Sequence, residues 1–169
     1  MHQQERFWQD LKSGKFASMV RECAKGQRLS HSAEVYNIMK PMFAQHPVVE
    51  ALYCIFLDVK NQIIAIEKMF TGSIASAPIY PREIVKRIIA LQASALVATH
   101  NHPSGDTTPS AEDLIITSKI YIAAACIDAK LHDHMIVGNG YLSMADTGTM
   151  SEIGNRFADL IRSNGLMVL

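Results

Sequence analysis

The run Ala98-Thr99-His100-Asn101-His102-Pro103-Ser104-Gly105-Asp106-Thr107-Thr108-Pro109-Ser110-Ala111-Glu112-Asp113 decides how this chain is read. It joins an apolar segment, Ala93 to Thr99, to a turn-rich loop and then to a long helical pattern. His100 and His102, spaced i and i+2, can leave one face of a strand end. Pro103 and Gly105 supply the restricted and the permissive backbone that a tight loop needs. Ser110, with Asp113 three residues on, has the form of a helix N-cap and its third-position carboxylate. Strand, loop and helix in that order predict a βα unit, and with it an α/β domain.

Two neutral imidazoles and one carboxylate are also the ligand set of an open zinc site, whose fourth position holds water. A plainer reading gives loop histidines bonded to backbone and an ordinary capped helix. The two readings do not compete, because a capped helix start holds an aspartate rigidly towards a metal. Ser104 precedes Gly105 but lacks the Gly-x-Ser-x-Gly elbow of a nucleophile. Glu112, one helical step from Asp113, is expected to face solvent. Glu50 stands at the mouth of a strongly apolar strand, after His46-Pro47-Val48-Val49, where a carboxylate costs energy unless it has a partner or a task. A facing-water strand end is the simpler account of it.

Working outward, residues 50–59 and 62–70 read as two strands joined at Lys60-Asn61, Asn being tolerant of left-handed backbone. Ser73 to Ala77 is a small-residue loop. Pro81 opens a helix carrying Ile84, Val85, Ile88, Ile89 and Leu91. Strand 94–99 follows, then helix 110–128, strand 131–137, and an Asn139-Gly140 turn into Tyr141-Leu142-Ser143-Met144. Near the start, 3–12 and 16–25 read as short helices stopped at Gly14 and Gly26. Ser30 or Ser32 is expected to cap a third helix to about residue 44, with Pro41 kinking or ending it. A last helix spans about 151–163. The sum is a three-layer α/β domain with a mixed sheet. His132 and His134 form a second His-x-His, expected on an alternating strand to share one face opposite Asp133. A structural strand-end role is the expectation there, with support of the metal site as the alternative. Trp8 and the nine methionines read as packing residues.

The 169 residues are one domain's worth of chain, 49% hydrophobic and 19% charged. Sixteen basic and sixteen acidic residues give no net charge, so the basic footprint usual for nucleic-acid binding is lacking. Three widely spaced cysteines form no Cys-x-x-Cys pair and no disulfide framework. No apolar run reaches transmembrane length, and the first residues lack a signal peptide's apolar core. The chain reads as cytoplasmic, with no membrane partner.

His-x-His-x7-Ser-x2-Asp, with a glutamate at a preceding strand start, resembles the JAMM motif of the JAB/MPN metallopeptidases. Val49-Glu50-Ala51-Leu52, Leu57-Asp58-Val59-Lys60-Asn61, Pro81-Arg82-Glu83, the His100–Asp106 run, Thr108-Pro109-Ser110, Glu112-Asp113 and Asp133-His134 are similar to its RadC branch, over about residues 30–147. The resemblance implies a cytidine-deaminase-like α-β-α fold. It also implies one zinc per chain on His100, His102 and Asp113, Glu50 as general acid/base, and Ser110 as oxyanion donor. Residues 1–29 and 148–169 become short helical extensions. RadC proteins commonly carry an N-terminal helix-hairpin-helix module suggesting DNA contact; residues 1–29 are too short for it and lack its glycine hairpin. The expected activity is zinc-dependent hydrolysis of a peptide, isopeptide or related amide bond in a protein or peptide substrate. The alternatives are a DNA-associated accessory protein of repair or mobile elements, with zinc structural or vestigial, and a catalytically silent scaffold.

Overall fold

A computed structural model describes residues 9–10, 13–44, 48–72 and 79–163. Helix 3–12 is therefore seen only at residues 9–10, and Trp8, His46-Pro47 and the 73–77 loop lie outside the described residues. The described elements are helices α1 (Lys15–Ala24) and α2 (Ser32–Phe43), strands β1 (Ala51–Leu57) and β2 (Ile63–Thr71), and helix α3 (Pro81–Leu91). Strand β3 (Ala95–Asn101), helix α4 (Ala111–Ala125), strands β4 (Lys130–Gly138) and β5 (Gly140–Ser143) and helix α5 (Thr149–Ser163) complete them.

The strands form one sheet in the order β2-β1-β3-β4-β5. β1 is antiparallel to β2 and β3, while β3 and β4 run parallel, linked by α4 as a crossover. Every residue of β1 and β3 is buried, as expected of central strands covered on both faces. Alternation sorts β1 cleanly. Tyr53, Ile55 and Leu57 pack with Met39 and Met42 of α2 on one face. Leu52, Cys54 and Phe56 pack with Ile84, Ile88, Ile116 and Ile120 of α3 and α4 on the other. Helices on both faces make the three layers, and the α/β reading holds. Among the described residues no helix is long and apolar enough to cross a membrane.

Local chemistry departs from the sequence reading in two places, the cap of α2 and the alternation of β4. The cap of α2 is His31 rather than either flanking serine, and Glu34 Oε2 reaches back to the N–H groups of Ser30 (2.6 Å) and His31 (3.1 Å). Pro41 lies inside α2, which runs two residues past it, because the missing N–H falls in the last turn. The β3–β4 register passes from Leu96↔Leu131 to Val97↔Asp133 and skips His132. Alternation breaks at that bulge, so His132 and His134 do not act as a same-face pair. His132 Nε2 instead meets Asn61 Oδ1 in the β1–β2 turn at 3.0 Å, while His134 is fully buried. Asn61 itself has φ 59°, the left-handed conformation expected of it.

Candidate metal centre

β3 runs two residues further than the apolar pattern suggests, so His100 lies within the sheet and Asn101 ends it. His102 still donates its backbone N–H to Val137 O at 2.9 Å, prolonging the parallel ladder by one step. His100 shares the face of Leu96 and Ala98, the face covered by α4. That helix begins at the Ser110 cap, as predicted. Asp113 N–H donates to Ser110 Oγ (3.1 Å), while the Ser110 N–H and hydroxyl both donate to Asp113 Oδ2, at 2.8 and 2.7 Å. The carboxylate also sits in the first helical turn, where the helix dipole favours negative charge.

These elements bring three donors to one point. His100 Nε2 is 3.1 Å from Asp113 Oδ1, His102 Nε2 is 3.3 Å from Asp113 Oδ2, and the two Nε2 atoms are 2.9 Å apart. One ligand atom from each residue lies within 4.8 Å of the others, a set that could hold a metal ion. His100 and Asp113 are buried and His102 is partly open to solvent. Burial alone would raise the Asp113 carboxyl. Hydrogen bonding and charge from His100, with hydrogen bonds from Ser110, outweigh it and hold the group well below the usual carboxylate range. A carboxylate held in its ionised form and facing two imidazole nitrogens suits zinc chemically. The residues present fit the ion.

The remaining expected site residues distribute as follows. The β1–β3 register pairs Leu52 with His100 and ends there. Glu50 lies two residues before Leu52 and immediately precedes β1, at the end of the sheet where His100 stands. Glu112 is exposed, as expected. Ser104 is a turn residue: its Oγ accepts the Asp106 N–H at 3.3 Å. Asp106 contributes its backbone, its carbonyl meeting His102 Nδ1 at 2.7 Å.

Sequence reasoning missed two groups, Asn101 and Thr117, while a third, His134, takes the alternative role considered for it. Asn101 side chain accepts the Ala51 N–H (2.8 Å) and donates to Val49 O (3.1 Å), gripping both neighbours of Glu50. Thr117 and His134 back the ligands from within the core: His134 Nε2 is 2.8 Å from His100 Nδ1, and His134 Nδ1 is 2.5 Å from Thr117 Oγ1. The Asn101 signal was its position between two ligands, and that of His134 was the second His-x-His; Thr117 had none short of a β4–α4 contact.

The family model described as RadC-like JAB domain matches residues 29–149. The chain belongs to this family. This JAB domain is 46% identical over 107 residues to a UPF0758 protein of Ectopseudomonas mendocina, covering 63% of this chain and 48% of that protein. It is 40% identical over 121 residues to a UPF0758 protein of Ralstonia nicotianae, covering 72% and 54%. A third UPF0758 protein, of Pseudomonas syringae pv. tomato, is 38% identical over 133 residues, covering 78% and 59%. The chain spans about half the length of the curated relatives it matches.

The JAB domain's ligand loop packs closely against the β4–β5 turn through Gly105 and Gly138. Asn139 N–H donates to Gly105 O at 2.8 Å, and a Cβ on Gly138 would stand 2.5 Å from that same oxygen. Gly138→Ala is therefore expected to push the loop off the β4–β5 turn. The expected loss is about 1–3 kcal/mol of stability, as for overpacking elsewhere. Urea denaturation checks it, and an unchanged midpoint would show that the loop is not held there. Two cavities of about 500 and 470 Å³ lie elsewhere and include none of the three ligands. The site is assigned by converging donors, not by cavity size.

Proposed function

We propose that this chain is a zinc-dependent hydrolase acting on a peptide, isopeptide or related amide bond. The observation that carries the reading is the convergence of His100, His102 and Asp113 at the sheet end that Glu50 adjoins. His100, His102 and Asp113 would hold one zinc. When bound, zinc would supply Lewis acidity, lowering the pKa of an attacking water and polarising the scissile carbonyl.

Glu50 takes the proton from that water and returns it to the leaving nitrogen. Asn101 holds the chain on either side of Glu50, so the carboxylate is carried on a fixed backbone. Ser110 has two tasks in this reading. Its hydroxyl now donates to Asp113 Oδ2; to serve the oxyanion it must turn away from that carboxylate. Its backbone N–H, also on Oδ2, keeps Asp113 in place meanwhile.

Hydrolysis of a panel of peptides and isopeptide-linked conjugates by the purified chain tests the proposal. Turnover that a chelator abolishes and zinc restores is the expected result. Zinc-loaded protein that cleaves no member of the panel, or cleavage that ignores the chelator, would overturn it.

A further inference from the structure

The hydrogen bonds behind His100 have a direction, and the direction can be read. Thr117 sits one helical turn after Asp113, and its Oγ1 is 2.5 Å from Asp113 O and 2.5 Å from His134 Nδ1. A threonine hydroxyl has one hydrogen to give. A carbonyl can only accept, so that hydrogen goes to Asp113 O; the Met144 sulfur at 3.6 Å is a weak competitor. Thr117 Oγ1 then offers a lone pair to His134, and His134 must carry its proton on Nδ1. His134 Nε2 is left as an acceptor, 2.8 Å from His100 Nδ1. His100 must in turn carry a proton on Nδ1, so its neutral ring has Nε2 bare. That bare nitrogen is the atom facing Asp113 and His102. Thr117, His134 and His100 are all fully buried, so no water competes for these bonds.

The geometry points to Thr117 and His134 as positioning residues of the metal centre, which lock His100 in the one tautomer able to ligate through Nε2. The relay starts at the backbone carbonyl of Asp113, so one ligand's main chain sets the proton position of another. His102 is fixed separately, its Nδ1 donating to Asp106 O. An imidazole locked the other way would present an N–H to the ion. The inference rests on the reading of His100 as a ligand, and its test has one arm that does not.

That arm is the ¹⁵N–¹H correlation spectrum of the metal-free, histidine-labelled full chain, with His100 and His134 assigned by substitution. Both rings are expected to carry the proton on Nδ1. A His100 ring with no proton on Nδ1 overturns the relay whether or not the protein binds zinc. The second arm is zinc affinity by chelator competition. Thr117→Val keeps the shape and removes the acceptor, and His134→Phe removes the whole link; each is expected to weaken zinc binding about 10- to 100-fold. His134→Gln, which has an acceptor oxygen and a donor amide at its tip, is expected to recover most of the loss. Unchanged affinity in Thr117→Val and His134→Phe overturns the inference. If His134→Phe does not fold, Thr117→Val against His134→Gln decides. If the wild type takes up no zinc, the ligand reading fails and the spectrum alone judges the relay.

Discussion

Glu50→Gln is expected to leave zinc binding intact while lowering hydrolysis by about 10²- to 10⁴-fold, the range typical of a lost general base. The amide is nearly the same size as the carboxylate and lies outside the ligand set. It can accept a hydrogen bond from water but cannot take the proton. The backbone around it should not move, because Asn101 grips residues 49 and 51 through their main chains and Gly72 N–H donates to Glu50 O at 2.9 Å. Steady-state turnover on a chelator-sensitive substrate, beside metal analysis of the same preparation, makes the comparison. Equal turnover by wild type and Glu50→Gln would remove the residue from the mechanism and leave the metal site standing.

The double substitution His100→Ala with His102→Ala is expected to abolish stoichiometric zinc. One carboxylate remains at the site, and a single oxygen ligand does not compete with water for zinc at micromolar concentration. Asp113 also loses the hydrogen bonding that holds its carboxyl low, leaving Ser110 as its support. Stability should therefore fall even in metal-free protein, because a buried ionised group that loses its partner is costly. Metal content and the denaturation midpoint give the two readouts. Zinc retained at one per chain in the double variant would mean that the ion sits elsewhere.

What the sequence made legible is what lies close along the chain. Both histidines, the cap and the aspartate belong to one strand–loop–helix passage, whose spacing is set by strand alternation and capping geometry. The apolar runs of β1 and β3 likewise announce buried central strands. Contacts between distant segments were harder to see. Thr117 meets His134 only because α4 crosses back over β4, and Thr117 is an ordinary core position by pattern. The bulge at His132 defeats alternation, since one unpaired residue moves Leu131 and Ile136 to the same side. The cap of α2 went to His31 because Glu34, not a serine hydroxyl, takes up the free N–H groups.

All three ligands fall between residues 100 and 113, a stretch short enough to stay together when the chain unfolds. On the proposed zinc reading the unfolded chain keeps a weak site of its own, and mass action counts only the difference between the two affinities. Melting temperature should climb with zinc at first and then flatten, as the denatured ensemble begins to bind too. The margin between the two comes from what is remote in sequence: β4 behind the histidines, and the β4–β5 turn against Gly105. In thermodynamic terms the domain's long-range architecture is read out as the gap between native and denatured metal affinity, and a calorimetric zinc titration would measure that gap directly.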